Sequence, residues 1–506
     1  MEKDELFENL FIMDMANNHQ GSVKHGLGII RAIAEKSKKH NIKAAIKFQY
    51  RQLDTFIHPN FKEKKDIKHI PRFMETSLIP EEFKIMVDEA KKQGLITICT
   101  PFDEDSVDII TKHGIDIIKV ASCSAQDWPL LQEIANTKKP VICSTGGLTI
   151  KQVDKIVSFF THRNVNFALM HCVALYPTKN EDLNLGRIDF LIKRYPFLKI
   201  GFSTHEEPDN LDAVKMAIAQ GAKILERHVG LITDKIKLNA YSSTPEQIEK
   251  WFLAAKIAWA SCQWEKNEIK EVEKESLDSL KRGVYVKKPV KKGEALTRDK
   301  VFFAMPLQNN QLPSEKFREG LSNFTGEMRG PLIANKDYQV NELVEDRELF
   351  DTDSMIFETI HEMKGILYGG RIAIGKEFKV ELSHQYGVEK FREYGAMIID
   401  VINREYCKKL LIQVPGQVHP MHYHKVKEET FQVLHGDLII EYGNETKVLN
   451  PGDKLVIERG VPHSFTTKNG VIVEEVSTTH VKDDSYYLDK NVPKDTRIRK
   501  TKFELW

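Results

Sequence analysis

Two histidines, His205 and His228, each follow a short apolar run in the segment from residue 199 to residue 230. An amphipathic helical pattern separates the two runs. If both runs are parallel strands joined by a right-handed crossover, the two imidazoles emerge at the same edge of one sheet. There they could hold one divalent metal and leave its other positions open, as a catalytic ion requires. The alternative is two independent histidines, one capping the helix and one packed under a loop.

Polar side chains also end the other apolar runs in the first half of the chain. In chain order they are Asp14, Lys47, Thr100, Lys119 with Ser122, Ser144, His171 with Tyr176, Ser203 with His205, and His228. Each alone has a plain structural explanation, such as a turn residue or a solvated charge. Their recurrence at equivalent places indicates that they converge on one face. Two lysines and several hydroxyls on one face suit a small, highly charged anion.

The elements that must position these residues alternate between strands and helices. Eight apolar runs are predicted strands, at residues 11–15, 44–48, 96–99, 117–120, 141–143, 167–170, 199–202 and 224–227. Capping boxes of Thr149 with Gln152 and of Thr244 with Gln247 predict two helix starts. Eight such units in series predict a closed (β/α)8 TIM barrel of the α/β class. An open doubly wound sheet is the alternative.

Length and composition limit the remaining possibilities. A chain of 506 residues is too long for one core, and roughly three domains are expected. The formal net charge is +1, and no basic stripe is present, so we expect no nucleic-acid partner. We find neither an apolar signal region nor a membrane-spanning length, and therefore expect a cytoplasmic protein with no membrane partner. Six scattered cysteines predict buried reduced thiols.

A second site is predicted near the carboxyl end of the chain. The stretch GQVHPMHYHKVKEETFQVLHG fits the first cupin motif, with Gly416, His422, His424, Glu429 and Gly436. The later stretch GDKLVIERGVPHSFTT fits the other cupin motif in part and contributes His463. An HxH pair on a strand points both imidazoles to one side, as a metal needs.

These matches predict a β-barrel cupin domain that holds a second divalent metal on His422, His424, Glu429 and His463. Manganese, iron, nickel and zinc all accept such a ligand set. The alternative is a cupin that has kept its histidines as packed, hydrogen-bonded residues without a metal.

The first part of the chain resembles the N-acetylneuraminate (sialic acid) synthase family. The matching stretches are MDMANNHQG (13 to 21), IKFQ (46 to 49), CTPF (99 to 102), IKVAS (118 to 122), STGG (144 to 147), HCVALYPT (171 to 178), GFSTH (201 to 205) and ERH (226 to 228). The resemblance implies that phosphoenolpyruvate binds to Lys47, Thr100, Lys119, Ser122, Ser144 and Ser203. It implies that His205 and His228 bind Mn2+ or a similar ion. Asp14, Tyr176 and Lys119 are the predicted catalytic residues, and Asp14 stands where the family has a glutamate proposed as acid or base.

The family's reaction is an aldol-like condensation. Carbon 3 of phosphoenolpyruvate attacks an aldehyde held on the metal, water adds at carbon 2, and phosphate leaves. The product is a 3-deoxy-2-keto sugar acid, usually made for bacterial surface polysaccharides. A metal to polarise the aldehyde, lysines for the phosphate and a carboxylate to relay a proton meet these demands.

Several departures from the family pattern concern the acceptor sugar. Ala174 replaces an asparagine, Ser124 replaces a glutamate, and Leu238 or Asn239 stands where the family carries an aspartate. Met305 stands where the family has an arginine that contacts the sugar's N-acetyl group. We therefore predict an aldose acceptor other than N-acetylmannosamine, contacted by Tyr176 and Asn239.

Three domains are predicted: a synthase barrel at 1–264, a linker and small antifreeze-like (SAF) domain at 265–350, and the cupin at 351–506. Beyond Asp351 we expect no helical repeat, and β runs with turns from Arg371 onward. The stretch GVYVKKPVKKGEALTRDKVFFAMP resembles the SAF domain, which in sialic acid synthases reaches over the active site of a partner subunit. The resemblance thus implies a domain-exchanged homodimer. Two other functions stay open: a bifunctional protein whose cupin isomerises a sugar, and a non-catalytic sugar-binding protein.

Overall fold

The computed structural model describes residues 5–262, 269–317, 331–346, 352–375, 378–481 and 483–503. The chain divides into two compact units, Met1–Asn267 and Glu268–Trp506. Among the described helices, none combines the length and the apolar composition that a membrane span requires.

Eight parallel strands form a closed barrel in the first unit, in sequence order. They are β1 Leu10–Asp14, β2 Ala44–Tyr50, β3 Ile96–Pro101, β4 Ile117–Val120, β5 Val141–Ser144, β6 Phe167–Cys172, β7 Ile200–Thr204 and β8 Ile224–His228. The predicted (β/α)8 barrel is confirmed, and the open sheet is excluded because β8 pairs with β1. Every residue of β1 is buried, as expected for parallel strands that are covered on both faces.

Helices follow the strands and cover the barrel. The described helices of this unit are α1 Val23–Lys39, α2 Leu53–Phe56, α3 Ile70–Glu75, α4 Pro80–Lys92, α5 Glu104–Lys112, α6 Trp128–Asn136, α7 Ile150–His162, α8 Gly186–Arg194, α9 Asp212–Ala219 and α10 Pro245–Ser261. Both predicted capping boxes are present. The backbone N–H of Thr149 donates to Gln152 over 2.8 Å, and that of Thr244 donates to Gln247 over 3.0 Å.

The barrel has two apolar layers, which follow the alternation of side chains along each strand. On β1, Phe11 and Met13 pack outward with the helices, whereas Leu10 and Ile12 pack inside the barrel. The inner layer consists of Phe7, Leu10, Ile12, Ala45, Ile98, Ile117, Ile142, Ala168, Met170 and Ile224. This layer fills the barrel and forms an apolar floor beneath the next inward-facing side chains of the strands.

The second unit begins with helix α11 (Glu271–Asp278) and a small β region with its own core. Strands β9 (Gly283–Val286) and β10 (Val301–Ala304) are antiparallel. Val284, Val290 and Tyr338 are among the buried side chains of this core. This region lies within the segment predicted as the SAF domain, and that assignment stays a prediction.

The rest of the second unit is the β-rich cupin region, preceded by helix α12 (Thr352–Gly369). Its strands are β11 Lys379–Ser383, β12 Ala396–Asn403, β13 Tyr406–Gln413, β14 Val418–Tyr423, β15 Glu429–Gly436, β16 Leu438–Tyr442, β17 Glu445–Leu449, β18 Lys454–Ile457, β19 His463–Thr466, β20 Val471–Thr478, β21 Tyr486–Tyr487 and β22 Lys500–Phe503. They form a seven-stranded sheet, in the order β18-β15-β20-β13-β12-β11-β22, and a five-stranded sheet, in the order β17-β16-β19-β14-β21. Phe431 of the first sheet and Phe465 of the second share one core, so the two sheets pack face to face.

The six cysteines are free thiols, as predicted. Four of them, Cys99, Cys143, Cys172 and Cys407, are buried. Cys262 is partly buried and Cys123 is exposed, so the expectation of burial does not hold for all six.

Candidate active site and metal centres

The inward alternation of the barrel strands continues into a polar layer at their carboxyl ends. Six polar side chains lie two residues beyond an inner-layer residue on their strands and therefore also point into the barrel. They are Asp14, Lys47, Thr100, Lys119, Ser144 and Glu226. All six are at most 4% exposed. The residue pairing of the strands aligns Asp14 with both Lys47 and His228. The site is therefore built by the same pattern on several strands: an inward apolar residue followed, two positions later, by an inward polar residue.

Both barrel lysines bind the same carboxylate. Lys47 Nζ lies 2.8 Å from Glu226 Oε1, and Lys119 Nζ lies 2.8 Å from Glu226 Oε2. Lys47 also pairs with Asp14 at 2.9 Å, and the Ser203 hydroxyl donates to Glu226 over 3.1 Å. Two ammonium groups and two carboxylates thus form one buried, formally neutral network.

Burial and charge oppose each other within this network. Burial favours the neutral form of Glu226, but the two lysines outweigh it and lower the pKa of that carboxyl. Burial likewise works against the charged form of Lys47, but Asp14 and Glu226 raise the pKa of its ammonium. For Lys119 the balance is reversed: burial lowers its pKa more than Glu226 raises it. The two lysines, although both buried, therefore differ in how firmly they hold their protons.

The two barrel histidines are neighbours, with ring centroids 5.3 Å apart. His205 Nδ1 lies 3.0 Å from the carbonyl oxygen of Val173, and since a carbonyl only accepts, Nδ1 donates and Nε2 keeps its lone pair. Burial and the neighbouring His228 lower the pKa of His205 to about 3. His228 Nε2 lies 3.4 Å from Asp14 Oδ2. Two neutral imidazoles with ring centroids 5.3 Å apart could share a divalent ion and leave its other positions open.

Two tyrosines lie against this histidine pair. The Tyr176 ring centroid is 4.3 Å from that of His205, and Tyr241 lies 5.2 Å from His228 with its ring nearly perpendicular. The two tyrosine rings are 5.3 Å apart. Burial of part of its ring raises the pKa of Tyr176 to about 12, and its side chain is still 55% exposed. Tyr176 can therefore contact both the histidines and a ligand that enters from solvent.

The other predicted barrel residues occupy different places. The Ser122 hydroxyl accepts a hydrogen bond of 3.0 Å from the backbone N–H of Gly146. A Cβ atom at Gly146 would lie 2.8 Å from that hydroxyl, so glycine is needed for this close approach. Asn239 is exposed and accepts from the backbone N–H of Tyr241 over 3.1 Å. Its side chain thus shapes the turn that carries Tyr241.

The structure places His171 away from the other polar residues that were predicted to converge on one face. On β6, Ala168 and Met170 belong to the inner layer, so His171 has the opposite phase. Its Nε2 donates to the carbonyl oxygen of Leu183 over 2.8 Å, and its ring stacks on Phe202. The prediction that His171 converges with the others is therefore wrong.

A second cluster lies on the cupin sheets. His422, His424 and His463 are buried, and one nitrogen of each lies within 4.8 Å of the others. Their Nδ1 atoms donate to the carbonyl oxygens of Pro420 (3.0 Å), Asp484 (2.7 Å) and Val461 (3.1 Å), respectively. This fixes the tautomers and directs three Nε2 atoms toward one centre.

Glu429 faces the same centre. Its carboxylate oxygens lie 3.4 Å from His424 Nε2 and 3.3 Å from His463 Nε2. Among the described side chains, Glu429 Oε2 and these two Nε2 atoms are buried without a hydrogen-bond partner. Buried polar atoms are normally satisfied, so three such atoms around one point fit a divalent metal well.

Comparison with known proteins assigns the barrel to a family. The NeuB family profile matches residues 35–261, and the cupin domain profile matches residues 410–473. An uncharacterised protein of Methanocaldococcus jannaschii is 30% identical over 293 residues, which are 57% of this chain and 82% of that protein. The chain belongs to the NeuB family.

Two further relatives extend the comparison. A solved structure from Chromobacterium violaceum, assigned as spore coat polysaccharide biosynthesis protein E, is 45% identical and covers 67% of this chain and 98% of its own, with a TM-score of 0.62. The pseudaminic acid synthase of Campylobacter jejuni is 28% identical over 306 residues, which are 58% of this chain and 86% of that enzyme.

Sequence reasoning missed two residues of this NeuB-family site. Glu226 stood inside the matched ERH stretch but received no role, although it shares the strand phase of His228. Tyr241 follows β8 in an exposed loop, where no periodic pattern identifies it. The alternation of side chains along β8 could therefore have identified Glu226, whereas the contact of Tyr241 with His228 is evident only from the structure.

Proposed function

We propose that the barrel condenses phosphoenolpyruvate with an aldose to give a 3-deoxy-2-keto sugar acid and phosphate. One observation carries this proposal: two buried lysines share one carboxylate directly beside a pair of neutral imidazoles. Membership of a family that includes sugar acid synthases supports it. The two ammonium groups of the network offer N–H donors to the anion, and a metal held by the imidazoles would polarise the carbonyl oxygen.

Lys47 and Lys119 would hold the anionic groups of phosphoenolpyruvate, together with the hydroxyls of Thr100, Ser122, Ser144 and Ser203. An ammonium already in a fixed ion pair needs little reorganisation to accept a second anion. Asp14, which pairs with Lys47 and lies 3.4 Å from His228, would relay a proton between water and the reacting oxygen atoms. Lys119 and Tyr176 would complete the catalytic set.

A divalent metal such as Mn2+ on His205 and His228 would supply Lewis acidity to the aldehyde oxygen. The protein's own part is to keep both imidazoles neutral and oriented. For His205, burial keeps the imidazole neutral and the hydrogen bond to the Val173 carbonyl orients it. Tyr176, which contacts the His205 ring and is open to solvent, would position the sugar, with Asn239 as the second proposed sugar contact.

The acceptor is proposed to be an aldose other than N-acetylmannosamine. Ala174 is exposed and cannot donate the hydrogen bonds of an asparagine, and Met305 cannot replace a guanidinium. Phosphate release from phosphoenolpyruvate should be measured with Mn2+ across a panel of neutral, acidic and N-acetylated aldoses. Release that depends on one of these aldoses would support the proposal. Fastest release with N-acetylmannosamine would refute the acceptor assignment, and no release with any aldose would refute the condensation.

We also propose a second divalent metal, manganese, iron, nickel or zinc, on His422, His424, His463 and Glu429. The three buried atoms without partners support this site. Metal analysis of the purified chain, with the His422→Ala and His424→Ala variants as controls, tests it. If the variants retain the wild-type metal content, the cupin holds no metal on these residues.

The SAF assignment of residues 265–350 and a domain-exchanged homodimer are further proposals, which rest on the family resemblance. Light scattering of the purified chain distinguishes a dimer from a monomer. Mixing a barrel-inactive variant, His205→Ala, with a chain cut at residue 264 tests the exchange. Activity recovered only in the mixture would support a domain supplied in trans, and unchanged inactivity would count against it.

A further inference from the structure

The cupin region encloses a cavity of about 760 Å³. The histidines of the proposed metal centre line one part of its wall, and Tyr487 and Arg499 line another. The volume is ample for a single sugar, since pockets for small ligands commonly measure roughly 300–1,000 Å³. The charges that line the cavity therefore decide which sugar fits.

Most cations in the cavity wall already have an acidic partner. The ion pairs are Lys427 with Glu429 and Glu475, Lys500 with Glu381, Lys409 with Asp400, and Arg497 with Asp495. Lys427 is 4% exposed, and its two carboxylates raise the pKa of its ammonium despite burial. These cations are thus neutralised by the protein itself.

Arg499 differs from these cations. It is 5% exposed, and its Nε atom is buried without a hydrogen-bond partner. Among the described residues, its guanidinium has neither an ion pair nor a side-chain hydrogen bond, and its one close partner is the Tyr487 ring, 4.8 Å from Cζ. A largely buried guanidinium without an anion is costly, because its N–H donors lose most of their water and, at Nε, gain no partner. An anionic ligand that pairs with this guanidinium would offset the cost.

Arg499 and the histidine cluster contact the same tyrosine ring. The Tyr487 ring on which Arg499 rests stacks against His422, with centroids 5.2 Å apart and planes 22° apart. The guanidinium and an imidazole of the proposed metal centre are therefore both neighbours of one aromatic ring that lines the cavity. A ligand with an acidic group at one end and hydroxyl or carbonyl oxygens at the other could reach both.

We propose that the cupin cavity binds an anionic sugar, whose carboxylate or phosphate pairs with Arg499 while its hydroxyl or carbonyl oxygens face His422, His424 and His463. A guanidinium fork binds either acidic group with two parallel hydrogen bonds. The sugar-oxygen end rests on the proposed cupin metal, whereas the Arg499 end does not. Neither end depends on the condensation proposed for the barrel.

The test uses the full-length chain loaded with Mn2+ and titrated by calorimetry with three probes: D-gluconate, D-glucose 6-phosphate and D-glucose. We expect at least one anionic probe to bind about 10-fold or more tightly than D-glucose, as a charge-assisted pair requires. Preference for gluconate would assign a sugar acid, and preference for the phosphate would assign a sugar phosphate. Manganese bound per chain is counted in the same samples, so loss of the metal is distinguished from loss of the anion site.

Arg499→Met keeps the packing on Tyr487 and removes the charge. It should bring the affinity for the anionic probe down to about that for D-glucose, and Arg499→Lys should give an intermediate value. Arg497→Met is the matched control, because Arg497 also lines the cavity but its side chain is 82% exposed and pairs with Asp495. If Arg499→Met or Arg499→Lys, checked for folding by circular dichroism, binds the anions like the wild type, the proposal is wrong. Equal binding of all three probes by the wild type would also overturn it.

Discussion

Lys119 and Glu226 form a buried ion pair in which Nζ and Oε2 are 2.8 Å apart. The other oxygen of the same carboxylate lies 2.8 Å from Lys47. One side chain of β8 therefore fixes both lysines that we propose for phosphoenolpyruvate. Because the three side chains are at most 4% exposed, water can replace little of this pairing when one partner is removed.

The first prediction concerns stability. Glu226→Gln should lower the free energy of unfolding by about 3–5 kcal/mol, because it leaves two ammonium groups buried with only the Asp14 carboxylate. Urea denaturation measures the change. Asp88→Asn is the control, since Asp88 pairs with Lys84 on the surface of α4 and should contribute little. Equal effects of the two substitutions would contradict this account of the network.

A double substitution separates stability from function. Adding Lys119→Met to Glu226→Gln should recover part of the lost stability, about 1 kcal/mol or more, because one uncompensated charge is removed. Phosphate release from phosphoenolpyruvate should stay at least about 100-fold below wild type, because a proposed anion ligand is absent. Stability and activity recovering together would show that Lys119 serves the fold alone.

The pH dependence of stability should contain a contribution from His19. Burial, with Arg72 nearby, lowers the pKa of this imidazole to about 4, and its Nδ1 accepts from the backbone N–H of Gly21 over 3.1 Å. Between pH 6.5 and about 4 the unfolded chain binds a proton there and the folded chain does not. Stability should therefore fall as the pH drops through this window, by up to about 1.4 kcal/mol per pH unit.

Replacing His19 by glutamine should remove this contribution. Glutamine keeps a polar group at the position but does not titrate, so stability should fall less steeply below pH 6.5 in the variant. Denaturation midpoints of the two proteins, measured between pH 4 and 7, give the comparison. Parallel curves would mean that His19 is protonated equally easily in both states.

Metal content and condensation should respond independently to changes in the cupin. The double variant His422→Ala, His424→Ala should lose about one metal equivalent per chain, because two of four proposed ligands are gone. Phosphate release by the barrel should continue at about the wild-type rate, since the proposed barrel ligands are unchanged. Complete loss of release would show that the two sites work as one.

The barrel could be predicted from sequence because each of its strands is a short apolar run that ends in a polar residue. The predicted run at residues 117–120 coincides with β4, and the other runs differ from the strands mainly at their ends. His171 was misplaced because being at the end of a strand does not decide which way a side chain points. Counting in steps of two from the inner layer excludes His171 and includes Glu226.

Helix α12 shows a different limit. Its buried residues Ile356, Ile360, Met363 and Leu367 follow helical spacing and pack under the cupin sheet. The expectation that no helical repeat follows Asp351 is therefore wrong. The position of Arg499 could not have been identified in that way. Its importance rests on a ring contact with Tyr487 and on the lack of an ion-pair partner among the described residues, and both depend on how distant strands come together.

The closure of β8 onto β1 has a consequence for synthesis of the chain. Asp14 leaves the ribosome before its register partner His228, which belongs to the last strand of the barrel. A growing chain that has not yet reached β8 lacks His228, and with it Glu226, the acid that joins the two lysines. The polar cluster that we propose as the reaction centre is therefore complete only after β8 has been synthesised.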